Sequence, residues 1–216
     1  YHVQCRVLFA PDYGSCSARR RLIIVGIRHD LHSRVGPYRF PAANSVHHPL
    51  HTILQPHIKR EEAKVWCQDA TWYDVPEQRG QDSLRLIGHL GKHWEEQRIY
   101  SANGFAATQT AQGRGTGWGT GLYRIDNRVS RLTVREGARL QQLEDDIQLD
   151  DVESVARRQI GNAMPVGMVR AVGVELGRYL AAAGETGKAG VKRVAPKEVT
   201  EQGDTQGKWR AGGEEL

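Results

Sequence analysis

Residues 158–165 read Arg-Gln-Ile-Gly-Asn-Ala-Met-Pro and connect two stretches of helical periodicity. The first stretch, residues 151–159, places Val152, Val155 and Ala156 on one side, and the Gly161-Asn162 pair predicts where its helix ends. Pro165 suits the first turn of the next helix, where it forfeits no hydrogen bond. The apolar stripe of that helix consists of Met168, Val169, Val172, Leu176, Tyr179 and Leu180. Such a stripe is typical of a helix that packs one face against a core.

A further helix is predicted upstream, because residues 133–136 form the capping-box sequence Thr-Val-Arg-Glu. In this motif the threonine hydroxyl accepts from the backbone N–H of Glu136, whose carboxylate reaches back to the first residue. Residues 1–28 indicate strand, loop and strand. Residues 1–9 alternate as a half-buried strand does, whereas residues 22–27 are continuously apolar and predict a strand buried on both faces.

The stretch from residue 29 to residue 128 has weak periodicity and is rich in His, Pro, Gly, Trp and Arg. Short strands are predicted at residues 98–100 and 121–125, and the glycine-rich stretch from Gly104 to Gly121 predicts loops. Residues 184–216 hold seven Gly, six Lys+Arg and six Asp+Glu. Because such a segment buries too little apolar surface to offset its ordering entropy, we expect a disordered tail.

Composition limits the classes of function. The chain of 216 residues has a net charge of +5, which permits a polyanionic partner without requiring one. It has no apolar run near the roughly 18 residues that span a membrane. Three cysteines argue against a disulfide framework and for a reducing compartment. Four clustered histidines favour a polar loop over a metal site, and no bound metal is expected; they are His47, His48, His51 and His57.

Three ordered stretches resemble the last three conserved blocks of the DNA (cytosine-5) methyltransferases. They are residues 12–28 with Arg19-Arg20-Arg21, residues 131–141 with the capping box, and residues 158–165. The region between the first two, with residues 98–101, Thr108 and residues 120–123, is similar to the end of the family's target-recognition region. Each piece is weak alone, but the ordered set is specific.

The resemblance implies an α/β fold: part of the Rossmann-like methyltransferase fold that binds S-adenosylmethionine, with an inserted, smaller and mostly β or irregular recognition domain. It assigns residues 1–28 and 131–183 to the catalytic domain and residues 29–130 to the recognition domain, with residues 184–216 as the tail.

The chemistry that the resemblance implies begins when the enzyme flips a cytosine out of double-stranded DNA. A cysteine thiolate adds to carbon 6, and carbon 5 then takes a methyl group from S-adenosylmethionine. Cations near the base stabilise the charge that develops on the ring. By the resemblance, Arg21 faces the base and Arg19 supports it. The alternative is that both arginines only pair with phosphate or with a local carboxylate.

Other site residues also follow from the resemblance. Arg98 is expected to read guanine, because a guanidinium makes a bidentate contact to that base in the major groove. Ser101 and Thr108 are expected to position the DNA backbone. Weaker DNA-contact candidates in the same loops are Gln97, Gln112 and Arg114. Asn162 and Ala163 are expected to lie along the cofactor pocket.

The nucleophile of the family lies in a Pro-Cys-Gln motif, and this motif does not occur in the 216 residues. Neither the glycine-rich cofactor loop nor the Glu-Asn-Val segment occurs. Some positions also depart from the family pattern: Ser17 replaces a glutamine, Gln109 replaces a leucine, and residues 92–97 replace a glycine-rich loop with a sequence that holds Glu95 and Glu96. Negative charge there opposes binding to phosphate.

We therefore expect the C-terminal part of a methyltransferase that needs a polypeptide with the missing blocks, either upstream in the same chain or as a separate subunit. The expected location is a prokaryotic or phage-related cytoplasm. One alternative is a non-catalytic DNA-binding remnant of such an enzyme. Another is an unrelated interaction module, for which the order of the three blocks is an accident. The isolated chain is expected to expose apolar surface, because residues 1–28 supply too few strands for a complete sheet.

Overall fold

A computed structural model describes most of the chain up to residue 184. The described residues are 1–44, 46–56, 58, 70–74, 83–91, 97–111, 121–126 and 128–184. Several predictions fall on other residues and lie outside the described part: nearly all of the tail, the segment with Glu95 and Glu96, and the DNA-contact candidates Gln112 and Arg114.

The described residues form a mixed α/β structure, as predicted. Its strands are β1 His2–Phe9, β2 Arg20–Ile27, β3 Ala70–Trp72, β4 Leu86–Leu90, β5 Arg98–Ser101, β6 Leu122–Ile125 and β7 Arg128–Ser130. Its α-helices are α1 His29–Val35, α2 Val134–Leu140, α3 Glu153–Asn162 and α4 Val166–Ala182. Short 3-10 helices lie at Ala10–Tyr13 and Leu50–Ile53. Among the described helices, none has the length and apolar composition that crossing a membrane requires.

Strands β1 and β2 form an antiparallel hairpin whose register runs from His2 opposite Ile27 to Phe9 opposite Arg20. Helices α1 and α4 cover one face of this hairpin, where Val25 and Ile27 are buried. The other face is apolar and open; its residues Val3, Val7, Leu22 and Ile24 are 57–65% exposed.

The prediction that residues 22–27 are buried on both faces is therefore wrong. Their side chains alternate between the helix-covered face and a face that no described residue covers, so Leu22 and Ile24 remain exposed. The continuous apolar run indicated that both faces of β2 suit burial. It did not indicate whether a second layer is present to cover the outer face.

A second sheet has the strand order β3-β4-β5-β6-β7. Its neighbours are antiparallel except for β5 and β6, which run parallel. The strands predicted at residues 98–100 and 121–125 are confirmed as β5 and β6. Tyr100 and Tyr123 pack with Leu132 and Leu140, so the sheet shares a core with the residues around α2.

The helix predictions hold with shifted ends. The capping box at Thr133 is confirmed with both of its hydrogen bonds. Helix α3 continues through Gly161 and Asn162, because the N–H of Ala163 still bonds to helical carbonyls, so the predicted end is displaced. Val152 precedes α3 and is 56% exposed, contrary to its predicted inward position. Pro165 precedes the first turn of α4 instead of lying within it.

The predicted apolar stripe of α4 is only partly buried. Met168 and Tyr179 are buried against the hairpin and its flanking loop, whereas Val169 and Leu180 are 49% and 41% exposed. The helix contacts neighbours on one side only, so the margins of a wide stripe stay exposed.

The predicted division into catalytic, recognition and tail regions stays a prediction, although Leu31 of the predicted recognition region packs in the hairpin core.

Candidate functional site

The segment before β2 lies against the segment that follows β5, and the two run side by side. The N–H of Ala18 donates to the carbonyl of Ala106 at 2.8 Å, and the N–H of Ala106 donates to the carbonyl of Cys16 at 2.7 Å. The hydroxyl of Thr108 donates to the carbonyl of Ala18 at 3.0 Å. These bonds bring the arginine block and the predicted recognition region into direct contact.

Arg19 lies inside the protein, with 1% of its surface exposed. Its Nη1 donates to the carbonyl of Gln109 at 2.7 Å, and its Nη2 donates to the carbonyls of Gly161 at 2.7 Å and Ala163 at 2.9 Å. Burial, and secondarily the charge of Arg21, lowers the pKa of Arg19 to about 10, so the guanidinium is charged at neutral pH. The predicted support of a base by Arg19 stays a prediction; the contacts themselves are to backbone.

Arg21 lies two residues further along the same face and is more accessible. Its Nη1 donates to the carbonyl of Arg20 at 2.8 Å, in a partly exposed position. Desolvation lowers the pKa of Arg21 from its usual value, and its charge lowers the pKa of Arg19, so the two cations influence each other. Arg20 is on the opposite face, with its guanidinium 4.4 Å from the centre of the Phe9 ring. Successive side chains alternate between the two faces of the hairpin at the start of β2. Arg19 and Arg21 therefore lie on one face and Arg20 on the other.

The two predicted cofactor residues lie at the last turn of α3 and the residue that follows it; we call residues 161–163 the α3 turn. Asn162 is exposed and Ala163 is half-buried, whereas the carbonyls on either side of Asn162 accept from Arg19. Gly161 meets the backbone of Thr110 and Ala111 so closely that a Cβ at this position would lie 2.5 Å from their atoms. The turn therefore presents Asn162 outward while its backbone is held against the segment after β5.

The predicted DNA contacts do not all lie together. Arg98 begins β5 and Ser101 ends it, so the rise of a strand separates their positions by about 10 Å. Gln97 lies beside Arg98, and its Oε1 is buried. The Ser101 hydroxyl accepts from the N–H of Asn103 at 3.2 Å. Thr108 is half-buried, and its hydroxyl bonds to the carbonyl of Ala18, next to Arg19 in sequence.

Ser101 also lines a cavity of about 490 Å³ at its end of the five-stranded sheet. Trp72 and Arg124 line the same cavity, with the Arg124 guanidinium 5.3 Å from the centre of the Trp72 ring. Arg98 does not line this cavity. The structure thus places Ser101 and Arg98 in different surroundings, which spacing along the sequence did not reveal.

Two contacts in the site and one buried side chain without a hydrogen-bond partner were not predicted. The hydroxyl of Ser15 donates to the carbonyl of Leu140 at 2.8 Å. The N–H of Ala107 donates to the hydroxyl of Tyr123 at 2.9 Å. Gln109 is buried, and neither polar atom of its amide has a partner among the described residues. The two hydrogen bonds join segments that are distant in sequence, so no periodic pattern indicates them. At position 109 the sequence offered one signal, which is the glutamine in place of the family's leucine.

Neither described thiol is placed to act as a nucleophile beside Arg21. Cys16 is buried, and desolvation raises its pKa to about 12, so it is a neutral thiol at physiological pH. Cys5 is exposed on the open face of the hairpin, away from Arg21 on the helix-covered face. Cys67 lies outside the described residues. Among the side chains that the structure describes, no group of three or more potential ligands could hold a metal ion.

Similar proteins were found in characterised families, sequences and structures. The chain is 28% identical over 180 residues to the type II methyltransferase M.HhaI of Haemophilus parahaemolyticus, covering 83% of this chain and 54% of that protein. It is 28% identical over 205 residues to M.Sau96I of Staphylococcus aureus, covering 83% and 44%. The chain thus spans about half the length of the curated relatives it matches.

Among solved structures, the Entamoeba histolytica methyltransferase EhMeth aligns with a TM-score of 0.49 at 11% identity, covering 83% of this chain and 53% of that one. The profile of one family, described as C-5 cytosine-specific DNA methylase, matches residues 1–178. This match includes all three sequence blocks and the whole region between them. The chain therefore belongs to the C-5 cytosine-specific DNA methylase family.

Proposed function

We propose that this chain supplies the DNA-recognition part of a DNA (cytosine-5) methyltransferase, which transfers methyl from S-adenosylmethionine to carbon 5 of cytosine in double-stranded DNA. The observation that carries this proposal is the family match over residues 1–178. The contact between the arginine block and the segment after β5 adds support, because it joins the predicted catalytic and recognition residues through described hydrogen bonds. The setting is the cytoplasm of a bacterium or of a phage-infected cell.

In this proposal Arg21 contacts the flipped base and stabilises the charge that develops on the ring. Its partial exposure suits this role, since a ligand can reach the guanidinium, while its desolvation strengthens an interaction with an anion. Arg98 reads guanine, and Gln97 together with Ser101 contributes to DNA contact. Thr108 acts in part through the arginine block that it bonds. Gln112 and Arg114 keep their predicted roles as DNA contacts.

In this proposal S-adenosylmethionine binds at residues 161–163, the end of α3. The carbonyls of Gly161 and Ala163 are already hydrogen-bonded, so the turn has a fixed shape, and the exposed amide of Asn162 can accept or donate to a ligand. Asn162 and Ala163 would thus hold one side of the cofactor. The cofactor supplies the electrophilic methyl group, and this chain orients it and positions the base.

The nucleophile must come from a polypeptide that carries the Pro-Cys-Gln motif and the glycine-rich cofactor loop. We call it the complementary polypeptide, whether it is joined to this chain or separate. Cys16 cannot take its place because it is buried and neutral. The open face of the hairpin offers apolar surface for the complementary polypeptide, with Val3, Val7, Leu22 and Ile24 exposed.

A second candidate function is DNA binding without turnover. It is favoured by two buried side chains at positions that depart from the family pattern. The hydroxyl of Ser17 and both amide atoms of Gln109 are buried without a hydrogen-bond partner among the described residues. Unsatisfied buried polar groups cost about 1–3 kcal/mol each, so these two substitutions destabilise the junction between the arginine block and the recognition region.

The test measures transfer of labelled methyl groups to duplex DNA by this chain together with the complementary polypeptide. Arg21→Ala is expected to lower transfer at least about 100-fold, as loss of a group that stabilises transition-state charge does. Arg178→Ala is the matched control, because Arg178 is an exposed arginine on α4, outside the hairpin, and its substitution should leave transfer nearly unchanged.

Equal transfer by wild type and Arg21→Ala would contradict the role of Arg21. If the wild-type mixture binds the duplex but transfers no methyl group, the second candidate function is correct.

The same assay tests the role of Arg98 in sequence specificity. Arg98→Lys keeps a phosphate contact but loses a bidentate base contact, so it should relax preference at a guanine without uniform loss on all sequences.

A further inference from the structure

We propose that Arg19 is a positioning residue that locks the turn at residues 161–163 to the segment at residues 108–111, so that cofactor binding and DNA binding become coupled. This inference rests on the proposed function for its two ligands. The lock itself rests on three hydrogen bonds from one side chain to two segments that are about 50 residues apart in sequence.

The geometry of the lock leaves Arg19 little freedom. Its two terminal nitrogens make all three bonds, at 2.7, 2.7 and 2.9 Å, and 1% of its surface is exposed. The Nε of Arg19 is buried without a partner among the described residues. Among these residues, the guanidinium is therefore held only through its two terminal nitrogens. Because the guanidinium is planar, the directions of its N–H groups fix where the three carbonyls lie relative to one another.

The two segments that Arg19 joins are also in direct backbone contact. Gly161 approaches the carbonyl of Thr110 and the amide of Ala111 at a distance that only a glycine permits. The hydroxyl of Thr108 bonds to the carbonyl of Ala18, next to Arg19 in sequence. A shift of the segment after β5 therefore pushes on the Gly161 backbone and moves the carbonyl of Gln109 relative to the guanidinium.

The charge of Arg19 strengthens the connection. Its guanidinium is buried and, among the described residues, is compensated by carbonyl dipoles and not by a carboxylate. Removing one carbonyl leaves a buried charge less well satisfied and is therefore unfavourable. The arrangement of the two segments therefore has a strong preference for one relative position. Binding of DNA to one segment and of cofactor to the other each favours that position, which is the condition for a coupling free energy between sites.

Arg19→Lys tests the lock, because lysine keeps the charge but is a point donor without the planar fork. The matched control is Arg157→Lys. Arg157 is also a buried arginine, on α3, but it donates to the carbonyl of Leu132 and to the carboxylate of Glu153, outside the lock. Both variants lose buried hydrogen bonds, so both should lower the free energy of unfolding by a similar amount.

The first measurement is amide hydrogen exchange of this chain, followed by mass spectrometry, and needs no activity. Arg19→Lys should accelerate exchange in peptides covering residues 105–111 and 158–165 at least about tenfold, without acceleration in the peptide covering β4. Arg157→Lys should accelerate exchange at the start of α3 instead. Unchanged exchange in either of the two locked peptides of Arg19→Lys would overturn the lock.

The second measurement uses the complex with the complementary polypeptide and compares the Kd of S-adenosylmethionine with and without duplex DNA. For wild type and for Arg157→Lys, the Kd of the cofactor should be at least about fivefold lower with DNA than without it, as is typical of coupled sites. Arg19→Lys should bring that ratio close to one. A ratio retained by Arg19→Lys, with exchange accelerated as expected, would overturn the coupling while leaving the proposed function intact. Absence of any DNA or cofactor binding by the wild-type complex would overturn the proposed function, and the coupling with it.

Discussion

Cys16 lies in the segment before β2, and 2% of its surface is exposed. Burial raises its pKa to about 12, because a thiolate is poorly solvated among Leu50, Tyr123 and their neighbours. Alkylation requires the thiolate, so the native chain should be labelled by iodoacetamide at pH 8 on exposed Cys5 but not on Cys16. Mass spectrometry of the labelled peptides measures both sites.

Unfolding in urea provides the control for this prediction, since Cys16 should then be labelled as fast as Cys5. Equal labelling of the two residues in the native chain would contradict the buried position of Cys16. Sequence alone could exclude Cys16 as the Pro-Cys-Gln nucleophile, but its low reactivity follows only from the contacts around it. The same holds for Arg19: alternation places it on the face of Arg21, yet the covering of that face by residues 109 and 161–163 comes from distant segments.

Helix α2 is the element whose local sequence and tertiary contacts agree most closely. The Thr133 hydroxyl accepts from the N–H of Glu136, and the Glu136 carboxylate accepts from the N–H of Thr133 and from the N–H of Gln55. The Thr133 hydroxyl also donates to the side chain of Gln55. One capping box therefore fixes both the start of the helix and the position of Gln55.

Thr133→Ala should lower the free energy of unfolding by about 1–2 kcal/mol, since it removes the cap and the bond to Gln55 together. Thr133→Ser keeps the hydroxyl and should cost less than about 0.5 kcal/mol. Urea unfolding followed by circular dichroism measures both. Equal losses for the alanine and serine variants would show that the methyl group, and not the hydroxyl, stabilises this end of the helix.

Elements with a strong local signal were predictable from sequence, and the others depended on tertiary context. The capping box and the strands around residues 98–100 and 122–125 rest on patterns within a few residues. Helix α1 has only one buried apolar residue, Leu31, so its sequence has no helical hydrophobic periodicity from which it could be predicted. Exposed apolar surface was expected, because residues 1–28 supply too few strands for a complete sheet, but the apolar run of β2 did not indicate which of its faces lacks a neighbouring layer. In the site, the family resemblance supplied the candidate residues, whose roles stay predictions, but did not indicate that Ser101 and Arg98 lie in different surroundings at opposite ends of β5.

At the scale of the whole molecule, the hairpin combines one well-packed face with one open apolar face. Val7→Thr and Ile24→Thr together should reduce binding of an apolar dye to the isolated chain and change its unfolding free energy by less than about 0.5 kcal/mol each, because both residues are exposed. Val25→Thr, on the covered face, is the control and should cost about 1–3 kcal/mol. Dye fluorescence and urea unfolding measure these effects.

The same pair of substitutions tests the open face as the surface for the complementary polypeptide. Val7→Thr with Ile24→Thr should weaken association with that polypeptide at least about tenfold, since each loses favourable apolar burial. Unchanged association would contradict this assignment of the surface. It would leave the proposed DNA contacts and the lock at Arg19 unaffected.

We propose that this chain recognises DNA for cytosine-5 methylation and depends on a nucleophile from the complementary polypeptide. Nucleoside analysis tests this proposal on duplex DNA incubated with S-adenosylmethionine and either this chain, the complementary polypeptide, or both. We expect 5-methylcytosine only when both are present. Methylation by the complementary polypeptide alone at the same rate and sequences, or none with both present and correctly associated, would contradict it.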